Sequence, residues 1–101
     1  MSKKQTYKKK LKKDTDLTSF QKKVLDITLK IPHGETRTYA WVAKQLGSPQ
    51  SIRAVGQALK KNPYAPHIPC HRVISSNGSI GGYSGGRENK IKLLRKEGIR
   101  I

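Results

Sequence analysis

Apolar positions first recur at helical spacing between residues 20 and 31, where Phe20, Val24, Ile27 and Ile31 share one face. Thr18-Ser19-Phe20-Gln21 precedes them with capping-box spacing, Thr18 as cap and Gln21 three residues on, and Pro32 and Gly34 stop the helix. A second, short helix fits Tyr39 to Leu46, with Thr38 as cap and Gly47 as terminator. Ser48-Pro49 reads as a cap followed by proline at the first helical position, opening a third helix to about Lys61. Its apolar stripe is Ile52, Val55 and Leu59. Three prolines among residues 62–69 exclude a helix and predict an extended, stiff connector. Val73-Ile74 fits a short strand and Ser75-Ser76-Asn77-Gly78 a turn. A last helix covers about Arg87 to Glu97, burying Ile91 and Leu94, and Gly98 ends it.

These elements predict a mainly α fold: a small helical domain with a helix-turn-helix and a short strand or hairpin, winged-helix-like. The second and third helices, separated by a tight Gly-Ser turn, form the helix-turn-helix, with an ordinary helical hairpin as the alternative. On the third helix Arg53, Gln57 and Lys60 lie together, away from the apolar stripe, with Ala54 and Ala58 flanking them. Small side chains let a helix approach a partner closely, and Arg and Gln beside them reach phosphates or base edges.

Charge sharpens this picture. The chain has 101 residues and a formal net charge of +16. Lys3, Lys4, Lys8, Lys9, Lys10, Lys12 and Lys13 place +7 of that in residues 1–13, which hold no acid, and leave +9 on the rest. The composition predicts a disordered basic arm over 1–16 and one compact domain, a monomer, over 17–101. Such a field concentrates polyanions, so nucleic acid is the expected partner, a solubilising tail being the bland alternative. An anionic membrane fits less well, because only Leu11 and Tyr7 would insert. No apolar run approaches the ~18 residues of a membrane span, and one cysteine forms no internal bridge. A reducing, intracellular setting is expected.

That cysteine, Cys70, lies in Ile68-Pro69-Cys70-His71-Arg72-Val73. It reads in three ways. It is a small buried hydrophobe; or a metal ligand with His33, His67 and His71; or a nucleophile whose proton passes to His71, with Glu97 orienting the imidazole. The metal reading suffers because His67, Cys70 and His71 are too crowded for a zinc framework and no second ligand pair exists. Neither a metal nor a cofactor is therefore expected. Gly81-Gly82-Tyr83-Ser84-Gly85-Gly86 lacks the ending of a phosphate loop. It reads as a flexible loop or a pocket wall presenting Tyr83 and Ser84.

Pro69-Cys70-His71-Arg72-Val73, with the Arg53-Ala54-Val55-Gly56 helix before it and Gly82-Tyr83-Ser84-Gly85-Gly86 after it, resembles the 6-O-alkylguanine-DNA alkyltransferases, also called methylated-DNA–protein cysteine methyltransferases. The resemblance spans about Phe20 to Gly98. It implies the family's carboxy-terminal catalytic domain, in which a helix-turn-helix enters the minor groove of double-stranded DNA and a 6-O-alkylguanine is flipped into a pocket. The alkyl group then moves to sulfur, once per protein molecule. On this resemblance Cys70 is the acceptor, His71 its water-mediated base and Glu97 the partner of His71. Arg53 fills the gap left by the extruded nucleotide, and Ala54, Gln57 and Lys60 share its DNA-facing helix. Tyr39 assists protonation of the leaving guanine and crowds the flipped base's phosphate. Asn62 braces the helix-turn-helix against the active-site segment. Tyr83, Ser84 and the Val73 carbonyl belong to the pocket. Two departures from the family pattern matter. A lysine-rich arm stands where many members carry an amino-terminal domain. Short relatives with tryptophan or alanine in place of the cysteine bind lesions without repairing them, a class against which Cys70 argues.

Overall fold

The computed structural model describes residues 3–77, 79–83 and 85–101. Helix α1 spans Lys3–Lys13, α2 Ser19–Leu29, α3 Tyr39–Gln45, α4 Ile52–Lys60 and α5 Arg87–Lys96. Two short strands, β1 (Arg37–Thr38) and β2 (Val73–Ile74), pair in parallel, Arg37 opposite Val73 and Thr38 opposite Ile74. The strand expected at Val73-Ile74 thus finds its partner far back in the sequence and not in a hairpin. A single turn of 3-10 helix, Cys70–Arg72, leads into β2.

Local signals placed α2 and α3 well. Both capping-box bonds form, Gln21 N–H to Thr18 Oγ1 at 3.1 Å and Thr18 N–H to Gln21 Oε1 at 2.8 Å. Thr38 caps α3 by accepting from Trp41 N–H at 3.0 Å. The core gathers Val24, Leu25 and Leu29 of α2, Val42 and Ala43 of α3, and Val55, Ala58 and Leu59 of α4 around Ile68, Cys70 and Val73.

Four expectations need correction. First, the basic segment is not a disordered arm. Tyr7 and Leu11 lie four residues apart on one face of α1; Leu11 is buried and Tyr7 packs against the core. Lys10, Lys12 and Lys13 in the last turn also suit the helix dipole. Second, α4 begins at Ile52 and not at Pro49. Residues Ser48 to Ser51 form a turn, with Ser51 N–H donating to Ser48 O at 2.9 Å and the two hydroxyls 2.6 Å apart. Third, the buried stripe of α4 is Val55, Ala58 and Leu59, while Ile52 is 46% exposed. Ile52 opens the first turn of the helix, and the inward face is carried by Val55, Ala58 and Leu59, three and four residues apart. Fourth, the connector is a closed loop. Ile68 N–H reaches Tyr64 O at 3.0 Å, and the buried Asn62 spans the loop, donating to Ile68 O at 2.8 Å and accepting from Tyr64 N–H at 2.9 Å. Prolines lack the N–H that would satisfy such carbonyls, so a side-chain amide supplies it.

The chain's end is tied back by one carboxylate. Glu97 caps the C-terminus of α5 and accepts from four donors: Gly34 N–H at 3.1 Å, Arg72 Nε at 2.8 Å, Arg72 Nη2 at 3.1 Å, and His71 Nε2 at 2.6 Å. Arg72 Nη1 continues to Ile31 O at 2.7 Å, so the loop after α2, the 3-10 turn and α5 meet at one point. Burial alone would raise the Glu97 carboxyl, but the bonds from Arg72, His71 and Gly34 outweigh it and hold the group at about 2. A carboxylate depressed on folding stabilises above its unfolded value, 4.5, and loses that contribution as pH falls toward 2. The shift corresponds to about 3 kcal/mol. We expect urea-unfolding stability to fall steeply between pH 5 and 2.5 in the wild type, and less steeply in Glu97→Gln, which is already weaker at pH 7. Parallel pH profiles for the two proteins would remove Glu97 as the source.

Candidate active site

Cys70 starts the 3-10 turn because Pro69 cannot donate and the loop before it is closed. Its N–H bonds Ile68 O at 2.8 Å, and Arg72 N–H bonds Pro69 O at 2.9 Å. The thiol is 4% exposed and takes part in no disulfide. No group of His, Cys, Asp and Glu among the described residues is arranged to hold a metal ion.

His71 follows directly and is 2% exposed. Burial lowers its pKa, and the bond to Glu97 only partly opposes that. The imidazole is therefore neutral beside an ionised carboxylate, and its proton sits on Nε2, donated to Glu97. The other ring nitrogen, Nδ1, is buried and has no hydrogen-bond partner among the described atoms. A neutral imidazole held by a carboxylate, with a bare lone pair, is the arrangement of an oriented base.

Aromatic and cationic groups close the pocket. Tyr83 meets the His71 ring edge-on, centroids 6.3 Å apart. Desolvation and the nearby Cys70 charge push the Tyr83 hydroxyl up to about 12 and raise that of Tyr39. Tyr39 lies against Gly81, whose φ is +76°; a Cβ there would come within 2.6 Å of the Tyr39 hydroxyl. Only glycine fits both the turn and the contact.

Lys90 went unnoticed in the sequence. It is fully buried, and its Nζ donates to Val73 O at 2.7 Å, Gly82 O at 3.1 Å and the Tyr39 hydroxyl at 3.4 Å. Burial lowers its pKa to about 8, and the Cys70 charge opposes the fall. The available signal was its position, one helical turn before the buried Leu94 and on the same face of α5. Arg72, known from the sequence only as part of a motif, shares Glu97 with His71.

The structure brings Cys70, His71, Glu97, Tyr39, Val73 and Tyr83 into this region. The Val73 carbonyl already accepts from Lys90. Asn62 stands behind the site as a loop brace. Ser84 lies outside the described residues. Arg53, Ala54, Gln57 and Lys60 are exposed along α4. Arg53, Gln57 and Lys60 open with Tyr39, Gly81 and Gly82 onto a cavity of about 240 Å³. A basic helix face and the aromatic wall of the cysteine site thus share one cleft.

The 6-O-methylguanine DNA methyltransferase, DNA binding domain family model matches residues 19–99. A methylated-DNA–protein-cysteine methyltransferase of Methanosarcina acetivorans is 51% identical over 81 residues, covering 80% of this chain and 52% of that protein. One from Mycobacterium leprae is 49% identical over 80 residues, 79% of this chain and 48% of its own. The chain thus spans about half the length of these curated relatives. Among solved structures, Mycobacterium tuberculosis OGT in complex with DNA superposes with a TM-score of 0.78 at 48% identity, covering 80% of this chain and 50% of that one. Schizosaccharomyces pombe Atl1 bound to damaged DNA containing O6-carboxymethylguanine gives 0.76 at 38% identity, covering 84% and 81%. With the family match running from the first residue of α2 past Glu97, the chain belongs to the 6-O-methylguanine DNA methyltransferase family.

Proposed function

We propose that this chain repairs DNA by moving the alkyl group of a 6-O-alkylguanine onto Cys70, once per molecule, and that residues 17–101 are the DNA-binding and catalytic domain, equivalent to the carboxy-terminal catalytic domain of longer relatives. The observation that carries this reading is the buried Cys70 beside a neutral His71 whose Nδ1 is bare and whose Nε2 is fixed by Glu97. An inert core cysteine has no need of that neighbour. Names and complexes of the relatives support the substrate class.

In this reading the protein binds as a monomer, and α4 enters the minor groove, whose degenerate code suits recognition by lesion and not by sequence. Ala54 permits close approach, while Gln57 and Lys60 hold the backbone. Arg53 occupies the gap left when the nucleotide turns outward, which offsets part of a flipping cost of a few kcal/mol. The base enters between Tyr83 and the Tyr39–Gly81 wall, the Val73 carbonyl and Ser84 contacting its edge. His71 Nδ1 takes the thiol proton through water, and the thiolate attacks the alkyl carbon. The carbon–oxygen bond breaks, the pair stays on guanine, and Tyr39 assists its protonation. Asn62 keeps the Cys70 loop in register with α4. The thioether product is stable, so no step regenerates the sulfur.

A second reading, lesion binding without transfer, draws on the likeness to Atl1 bound to damaged DNA, at 38% identity and a TM-score of 0.76. Label transfer from duplex containing 6-O-methylguanine separates the two. We expect one methyl per protein, a gain of ~14 Da on the Cys70 peptide, and none on Cys70→Ala, which still binds DNA. Lesion-selective binding with no label would establish the second reading, and turnover beyond one equivalent would refute single use. His71→Phe should slow transfer at least ~10²-fold with DNA binding nearly unchanged. A wild-type rate in that folded variant would remove the base. Arg53→Ala should slow repair in duplex more than transfer from the free alkylguanine base, which needs no flipping. Equal slowing of both substrates would count against the gap-filling role.

A further inference from the structure

Helix α1 lies outside the residues matched to the family, and the transfer chemistry makes no use of it. It is nevertheless firmly held. Tyr7 stacks on His67 with ring centroids 5.0 Å apart and planes 10° from parallel, and meets Tyr64 edge-on. Leu11 is buried, and Asp14, just past the helix end, bonds the Tyr64 hydroxyl. The helix therefore displays its lysines on a fixed frame.

Where α1 packs on α2, the seam holds a cavity of about 220 Å³. Lys8 and Lys12 line it from α1, Lys22 and Lys23 from α2, with Leu11 beneath and Asp26 as the carboxylate in its wall. Lys8, Lys12 and Lys23 are exposed, and Lys22 is half-buried. The other nearby carboxylate, Asp14, is engaged with Tyr64. Like charges at i, i+4, such as Lys8 and Lys12 or Lys9 and Lys13, weaken an isolated helix. The sequence thus maintains, at a cost in stability, four lysines along one seam whose lining includes a single carboxylate, Asp26. Counterions must collect there, and a phosphate chain releases them on binding.

We propose that the α1–α2 seam is a second polyanion-binding surface, separate from α4, which takes the sugar-phosphate backbone of nucleic acid. The proposal rests on the DNA-binding reading above and adds to it a surface blind to the lesion. Ammonium groups on successive helical turns stand about 5–6 Å apart at Cβ. Phosphates of one strand advance 3.4 Å along the duplex axis, so two lysine pairs engage two to four of them. Because Tyr7, Leu11 and Asp14 already fix α1, little ordering cost attends each contact. The seam contains no aromatic ring or planar donor pair that would read a base, so it supplies affinity without selectivity.

The test uses the full chain carrying Lys8→Gln, Lys12→Gln, Lys22→Gln and Lys23→Gln together, with the four Lys→Arg changes as a charge-preserving control. Binding to an undamaged duplex is measured over a salt series, with circular dichroism to establish that α1 remains folded. The glutamine variant should lose two to four units of salt slope, about 0.9 per phosphate contact, and weaken equally on damaged and undamaged duplex. The arginine variant should keep the wild-type slope. An unchanged slope in the folded glutamine variant overturns the proposal, as does a loss confined to the damaged duplex. Vesicles of anionic phospholipid provide the other arm: loss of vesicle binding with an unaltered DNA slope assigns the seam to membrane and likewise overturns it. The readout is independent of Cys70. A slope change without methyl transfer leaves the seam standing while the repair reading fails; transfer with an unaltered slope does the reverse.

Discussion

Everything near the sulfur depends on one buried carboxylate. Glu97 gives up hydration at the end of α5, and its four donors come from two separate parts of the chain, the loop after α2 and the 3-10 turn. A buried charge is tolerable only when hydrogen bonds replace water this completely. One of the four bonds also fixes the tautomer, because a carboxylate on Nε2 holds the proton of His71 on that side and leaves Nδ1 bare. On the proposed reaction, stability and reactivity are therefore not separable at this residue. Any change that relaxes the latch frees the imidazole to rotate, and the last turn of α5 then loses its tie to the loop after α2.

Lys90 is the counterweight. Its acceptors are two carbonyls and a phenol, all neutral. Arg72 is nearby, but Glu97 takes up its charge. The pocket thus holds a buried ammonium whose hydrogen-bond acceptors include no carboxylate, close enough to Cys70 for a charge there to act on it. An ammonium there favours a thiolate over a thiol. It also fixes the pocket mechanically, since one side chain joins β2, the glycine loop and α3.

Much of this was legible in the sequence wherever the determining interaction is local. The α2 capping box, the Thr38 cap and the end of α5 are written in residues three or four apart, and each formed as read. Boundaries and faces were harder: α4 begins at Ile52 and not at Pro49, Ile52 is exposed and Ala58 is buried. The 62–69 loop was misread because its closure depends on the Asn62 amide, which no proline rule anticipates. In α1 composition outweighed pattern. Seven lysines suggested disorder, while Tyr7 and Leu11 carried the helical signal and needed Tyr64, His67 and α2 to act on. Cys70, His71 and Glu97 were found together, but Lys90 was not, because a lysine is assigned to the surface unless its helical phase is given more weight than its charge.

Lys90 and the lysines of α1 show what position does to the same side chain. On α1 an ammonium stays hydrated and screened, so its attraction to a phosphate is shallow, additive and dependent on salt. Buried, it acts without solvent screening on whatever charge the pocket holds, and its own protonation becomes sensitive to that charge. On the proposed reaction, conversion of the thiolate to a thioether removes the negative charge that favours protonated Lys90, while burial continues to oppose it. On that reaction Lys90 would hold its proton less firmly. The carbonyl acceptors of Lys90, Val73 O and Gly82 O, form the pocket wall, so the loss of charge at sulfur acts directly on the segments that surround the base.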